Sequence, residues 1–225
     1  MHSYSTIVPA YNAAETLEET LTAIRGQTAP CAEILVVDDG STDDTVKIAN
    51  AFDAPVRVIC QENAGPGAAT NAGLRAATND LIAMCDADDI WVSEKMEKQL
   101  AEFGNANEML FTSSAMRQFR HGSVDDGSGL IRPGPTRSTL VVTRRAAERT
   151  GDLIDPQGGR GDLIDWFARA REAGIEIRTT DDVLALRRII PGSLSYGRDP
   201  ARDRGYLEVV RLAMQRKRAK GFEND

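Results

Sequence analysis

Over the first ninety residues, short apolar runs rich in β-branched residues alternate with longer stretches of helical period, and a carboxylate or amide side chain closely follows three of the apolar runs. Ser5 to Val8 reads as a strand and Ala14 to Gln27 as a helix, with Leu17, Leu21 and Ile24 spaced by four and three. Ile34 to Val37, Val56 to Cys60 and Leu81 to Cys85 read as further strands, with helices at Asp43 to Phe52 and Gly67 to Ala77 between them. Strands apolar on both faces belong in a covered, largely parallel sheet, so the chain is expected to be an α/β protein built from βαβ units. After Trp91 the rhythm loosens. A helix at Glu94 to Phe103, a strand within Met109 to Phe119, the loop HGSVDDGSGLIRPGPTR, a strand at Ser138 to Thr143, a helix around Leu163 to Ala173 and strand-like runs at Ile175 to Thr179 and Val183 to Arg187 follow. No repeat or long linker divides the 225 residues, which are expected to form one domain with halves at 1–92 and 93–200 and a helix within 201–225.

Composition narrows the function. With 27 basic and 34 acidic residues the net charge is −7, which argues against non-specific binding to nucleic acid and favours metal ions as partners. Cys31, Cys60 and Cys85 are odd in number and widely spaced, so they are expected to be buried thiols in a reducing compartment. The N-terminus lacks a basic region before an apolar run, and no apolar stretch approaches the ~20 residues of a membrane span; the expectation is a soluble, cytoplasmic protein.

Pro9, Tyr11 and Asn12 follow the first strand, Asp38 and Asp39 the second, and Asp86, Asp88 and Asp89 the fourth. Ligands of open α/β sheets bind outside the carboxyl ends of the strands, so these residues should meet at one pocket. The three carboxylates of Asp86-Ala87-Asp88-Asp89 would repel one another unless a divalent cation such as Mg2+ or Mn2+, completed by a diphosphate, kept them ionised. An Asx-rich turn capping the next helix accounts for them equally well. Asp39 precedes the caps available to the second helix and could accept from a nucleobase N–H, or serve a structural turn. The run from Asn63 to Gly73 lacks the third glycine of a dinucleotide fingerprint and the lysine of a P-loop, but its glycines suit a helix start whose N–H groups face a ligand. His2 and His121 are poorly placed for catalysis, leaving acid–base work to carboxylates.

Taken together, TIVPAYN, ILVVDDGSTDDT, ENAGPGAATNAG and MCDADDIW, in this order, resemble the family 2 glycosyltransferases of the GT-A fold. The resemblance covers roughly residues 4 to 100 and continues more loosely through TLVVTRRAAERTGDLID and GDLIDWFARAREAG to LRRI. It implies a Rossmann-like, mostly parallel sheet flanked by helices, joined to a smaller mixed half that binds the acceptor. It further implies that Pro9, Ala10, Tyr11 and Asn12 flank a nucleotide base, that Asp39 bonds its N–H edge, that Asn71 helps bind the donor, that Asp86 lies by the ribose and metal, and that Asp88 binds the metal. Asp162 matches the catalytic carboxylate, which would deprotonate an acceptor hydroxyl for inverting attack on the anomeric carbon; a helix N-cap is its structural alternative, and Asp165 the fallback base. The implied reaction is metal-dependent transfer of a hexose from a nucleoside diphosphate sugar, UDP-linked by preference, to a glycan or lipid-linked glycan.

The chain departs from the family pattern at three places. Thr70 stands where an arginine is usual, Gly161 where a glutamate is, and Ile190 where a histidine is; Arg188 could compensate by pairing with the diphosphate. The stretch GYLEVVRLAMQRKRAKG is a candidate amphipathic helix whose Arg211, Arg216, Lys217, Arg218 and Lys220 could rest on the inner face of an anionic membrane. Trp91 and Trp166 could stack on sugar or base or belong to the core, and a homodimer is left open. A dehalogenase-type phosphatase and a non-catalytic sugar-nucleotide binding module are the rival readings.

Overall fold

The computed structural model describes residues 2–53, 55–104, 108–156, 160–193, 196–197, 199, 201 and 203–222. Strands β1 (Tyr4–Ala10), β2 (Glu33–Asp38), β3 (Val56–Cys60) and β4 (Leu81–Met84) are parallel and lie in the order β3-β2-β1-β4. Helices α1 (Leu17–Arg25), α2 (Thr45–Ala51) and α3 (Pro66–Ala76) connect them. The same sheet continues through β8 (Val141–Thr143), antiparallel to β4, then β6 (Leu110–Arg120) and β9 (Glu176–Ile189), and ends on β5 (Ile90–Trp91). β7 (Ile131–Arg132) pairs with β6 off this path. Among the described residues four more helices follow: α4 (Lys95–Leu100), α5 (Arg144–Thr150), α6 (Asp162–Glu172) and α7 (Arg204–Phe222).

Strand alternation divides the core between the two faces of the sheet. Ile34 and Val36 pack with Val8, Leu17, Leu21, Ile24 and Met96, whereas Leu35 and Val37 pack with Ile7, Ile82, Met84, Phe111 and Trp166. Each fully buried Leu or Ile side chain stabilises the fold by about 1.5–3 kcal/mol, so helices on both faces are what make this sheet stable. Both tryptophans are core residues: Trp166 stacks on Phe111 with centroids 4.6 Å apart, and Trp91 is buried with its Nε1 donating to the Ser138 carbonyl.

Several boundaries differ from the expectation. β1 extends through Pro9 and Ala10, although proline cannot donate to a ladder. Ile7 faces β4, where its carbonyl accepts from Cys85 N, and Ala10 faces β2, where its carbonyl accepts from Asp39 N; Pro9 therefore faces the β4 side, beyond the last paired residue. The runs after residue 175 form one strand, because Asp181 and Asp182 are absorbed as a bulge between the pairs Ser114–Thr180 and Ala115–Val183. Helix α5, not foreseen from its polar composition, starts at Thr143, whose Oγ1 accepts from Ala146 N at 3.2 Å. Of the cysteines only Cys85 is buried; Cys60 is exposed because it ends the edge strand β3.

Lys95 is the fold's one fully enclosed ammonium among the described lysines. Its Nζ donates to Gln99 Oε1 at 2.5 Å and lies 4.3 Å from the centre of the Trp91 ring, and burial pulls the amine down to about 7. An unfolded lysine titrates near ~10.4, so above neutrality the unfolded chain holds a proton that the native chain lacks, and stability rises with pH. Unfolding measured at about pH 7 and about pH 8 should show wild type gaining about 1 kcal/mol relative to Lys95→Met. Equal gains in the two proteins would contradict an enclosed, neutral amine.

Candidate functional site

The carboxyl ends of β1, β2 and β4 form one rim of the sheet. Two loops are tied together there: Asn12 N donates to Ser41 Oγ and Thr42 N to Asn12 Oδ1, both at 2.8 Å, with Asn12 held at φ 48°. Tyr11 is exposed at this edge, while Pro9 and Ala10 are buried strand residues. Asp38 accepts from Ser41 N at 3.2 Å. Asp39 is buried, and its carboxylate accepts from Gln61 Nε2 (2.7 Å), Ala64 N (2.9 Å) and Gly65 N (2.9 Å). A carboxylate has about four acceptor positions, so one remains after it has anchored this loop.

Two strand spacings away, about 10 Å across the rim, β4 leads into the acidic turn. Helix α1 grips that turn: Thr16 Oγ1 donates to Ala87 O (2.9 Å) and Thr20 Oγ1 to Asp89 O (2.8 Å). Asp89 is structural. Its Oδ1 accepts from Arg188 N at 3.0 Å and its Oδ2 from Ser138 Oγ at 2.6 Å, fastening the turn to β9 and to the approach to β8. Burial, then the Asp88 and Asp86 charges, push its carboxyl well up. The Asp88 carboxylate receives no hydrogen bond from another described residue; burial and the neighbouring Asp86 push it up to about 6. Arg188 sits beside the turn, Nε donating to Asp88 O at 3.0 Å, its guanidinium paired with Glu19 and 4.6 Å from the Phe119 ring centre. Arg188, Arg187, Gln118 and Tyr196 line a cavity of about 220 Å³. A larger hollow of about 460 Å³ between α1 and α2 contains none of the rim residues, so its size carries no functional weight.

Between the two halves lies an arginine that sequence reasoning missed. Arg137 opens a single 3-10 turn, Arg137–Thr139, before β8. Because β8 is antiparallel to β4, the residues before it arrive at the carboxyl end of β4. Buried to 5% exposure, Arg137 donates from Nη1 to Asp86 Oδ1 (2.8 Å), from Nη2 to Asp162 Oδ2 (2.6 Å) and from Nε to Thr70 Oγ1 (3.0 Å). Burial works against its charge, and Asp86 and Asp162 outweigh burial. Thr70 thus sets a cation in the cleft although it is not itself basic. Asp162 is the first residue of α6 and not its cap; Gly161 occupies the N-cap position with no side-chain bond. Asp162 Oδ1 accepts from no described residue.

Other expected site residues lie elsewhere. Asn71 is turned to the loop after α5, its Nδ2 donating to Leu153 O and its Oδ1 accepting from Leu153 N, both at 2.8 Å, so its amide is used in holding that loop. The N-terminus of α3 does not face open space: Asp155 accepts from Gly67 N (2.9 Å) and Ala68 N (2.8 Å). Asp165 ties α6 together and to α7 through Arg169 (2.7 Å) and Arg216 (2.8 Å), which removes it as a base and draws Arg216 inward. The side chains of Lys217 and Lys220 lie outside the described residues. His2 bonds the Phe103 carbonyl, whereas His121 approaches Glu15 and donates its backbone N–H to the carbonyl of Ile189, next to Arg188.

Among the described residues no three His, Cys, Asp or Glu side chains enclose a metal position. Asp86 and Asp88 supply two mutually repelling carboxylates, which suits Mg2+ or Mn2+ when substrate phosphates and water supply the other oxygens. The donor set fits a cation that comes with a diphosphate.

Residues 5–138 match the family described as Glycosyl transferase family 2. WfaP of Escherichia coli, named UDP-Glc:alpha-D-GlcNAc-diphosphoundecaprenol beta-1,3-glucosyltransferase, is 36% identical over 205 residues, covering 87% of this chain and 80% of its own. Two solved structures share the fold: S. aureus TarS 1-349 in complex with UDP-GlcNAc (TM-score 0.74, 21% identity, 94% of this chain and 65% of that one), and the mannosyltransferase PcManGT from Pyrobaculum calidifontis in complex with GDP-Man and Mn2+ (TM-score 0.67, 20% identity, 85% and 58%). This chain spans less than two thirds of either solved chain. By the residues matched and by its likeness to WfaP, the chain belongs to glycosyl transferase family 2, and its sheet has the GT-A arrangement.

Proposed function

We propose that this transferase moves a hexose from a UDP-sugar to a hydroxyl of a lipid-linked glycan, inverting the anomeric centre, with Asp162 as the base. The observation that carries the reading is the sharing of one guanidinium by Asp162 and Asp86, which holds a carboxylate of α6 beside the acidic turn. Asp39, with its remaining acceptor position, follows β2, two strand spacings or about 10 Å across the rim from that turn, and Tyr11 and Asn12 follow the intervening strand β1; the span suits a nucleoside diphosphate. The TarS complex with UDP-GlcNAc and the name of WfaP support the donor and acceptor classes.

Asp162 Oδ1 takes the proton of the acceptor hydroxyl as that oxygen bonds to the anomeric carbon. The bond from the anomeric carbon to the phosphate oxygen breaks, and its electron pair leaves with UDP. A divalent cation held by Asp86 and Asp88 would offset charge on the departing diphosphate. Asp89 keeps the turn in place without touching the reacting atoms.

Helix α7 gives the acceptor class a physical counterpart. At 3.6 residues per turn, Leu207, Val210, Arg211, Met214 and Arg218 share one exposed face, while Val209 and Arg216 face α6. That face is apolar with cationic charges only, in a chain of net charge −7, and an anionic lipid surface complements it. No helix among the described residues is long and apolar enough to cross a membrane.

Asp162→Asn should lower kcat by about 10²–10⁴-fold while UDP binding persists. The assay is UDP release from UDP-glucose or UDP-N-acetylglucosamine, with Mn2+ and a lipid diphosphate-linked N-acetylglucosamine. Wild type that binds UDP without transferring any sugar would identify a binding module instead. UDP with Mn2+ should raise the melting point of wild type more than UDP alone, and Asp88→Asn should lose that difference. For α7, co-sedimentation with phosphatidylglycerol vesicles should weaken about fivefold for each of Arg211→Glu and Arg218→Glu. Equal binding to phosphatidylcholine vesicles would contradict an anionic surface.

A further inference from the structure

Arg137 is buried at the centre of the site, yet the reaction as described assigns it no step. We infer that Arg137 is a positioning residue for the transfer, fixing Asp162 in the orientation from which Oδ1, which accepts from no described residue, meets the acceptor. The inference rests on the transferase reading above.

Three contacts define the device. The planar guanidinium reaches Asp162 Oδ2 at 2.6 Å, Asp86 Oδ1 at 2.8 Å and Thr70 Oγ1 at 3.0 Å. Its N–H groups have fixed directions, so it sets where both carboxylates lie relative to α3. The partners come from three separate elements, α3, the turn after β4 and α6, and all are polar. An apolar side chain of similar size would fill the volume but leave two carboxylates without their cation. With Oδ2 held, Asp162 cannot swing, and Oδ1 is the oxygen left to take the proton. Arg137 thus joins the donor side to the acceptor side through a single rigid group.

A lysine preserves the charge but not the fork. Arg137→Ala leaves a space bounded by Asp86, Asp162 and Thr70 that a free guanidinium ion can occupy. The experiment measures kcat and KM by the UDP-release assay for wild type, Arg137→Ala and Arg137→Lys, with calorimetric UDP affinity and melting points recorded for each. Arg137→Ala should lose about 10²-fold in kcat, as expected for a misaligned base, with its UDP affinity largely kept. Arg137→Lys should also be slow, and millimolar guanidinium chloride should restore turnover to Arg137→Ala where methylammonium chloride does not. Unchanged kcat in Arg137→Ala, with Asp162→Asn inactive, overturns the role of Arg137 and leaves the transferase reading standing. Loss of kcat together with UDP affinity and melting point, without rescue by guanidinium, makes Arg137 merely structural and overturns the inference too. If Arg137→Ala does not fold, Arg137→Lys decides: slow turnover with intact UDP binding supports the role, and wild-type kcat overturns it. Wild type that binds UDP but releases none from UDP-sugars removes the reading and this inference together.

Discussion

A guanidinium withdrawn from water is tolerated only where carboxylates meet it, and Arg137 meets two, Asp86 and Asp162. Each partner needs the others. Removing one member of such a buried group leaves an uncompensated charge at a cost of about 3–5 kcal/mol, so the cluster holds its elements to one another. Those elements are remote in the chain: Thr70 in α3, Asp86 after β4, Arg137 before β8 and Asp162 at the start of α6. Asp88 is not a partner of this guanidinium; the charges acting on it are those of Asp86, Arg187 and Arg188, and Arg188 is paired with Glu19. On the proposed reading, a divalent cation at Asp86 and Asp88 would relieve the repulsion between these two carboxylates.

The change from parallel to antiparallel pairing is what makes this cluster possible. In a purely parallel sheet every strand would send its carboxyl end to the rim, and the residues preceding each strand would lie at the far edge. Here β8 runs against β4 and delivers Arg137 and Ser138 to the carboxyl end of β4. Likewise β5 runs against β9, which brings the backbone of Arg188 to Asp89. Asp89 accepts from both arrivals, so one buried carboxylate locks the acidic turn against the two strands that complete the site.

This explains which parts of the site could be read from the chain. The parallel half follows from local pattern, and the carboxylates after β2 and β4 lie at the rim because strand direction is uniform there. Arg137 sits just before a strand that was foreseen, but periodicity carries no strand direction, so nothing local distinguished it from a loop arginine. The start of α3 and Asn71 depart from the expectation for a related reason. Both serve the loop after α5, and a helix start rich in glycine looks alike whether its N–H groups receive a ligand or the carboxylate of a side chain 87 or 88 residues away. Asp165 shares a helix with Asp162, but Arg216 of α7 claims it, and only the packing of α7 could reveal that.

The same packing accounts for Gly161, where a glutamate would follow the family pattern. Its φ of 112° lies in the left-handed region, and an added Cβ would come within 3.1 Å of Val209 Cγ2. At Gly205 a Cβ would fall 2.1 Å from the Arg160 carbonyl oxygen, so the start of α7 lies directly on the backbone leading to Asp162. Side chains at either position would lift α7 away or distort the segment that leads to Asp162. The seating of α7 thus leaves no room for an acidic side chain at Gly161, and the cation bonded to Asp162 is Arg137. Since the opposite face of α7 carries Leu207, Val210 and Met214 with two arginines, whatever surface holds that face also bears on the segment that positions Asp162. One helix thus packs against the segment before Asp162 on one side and presents an exposed apolar and cationic face on the other.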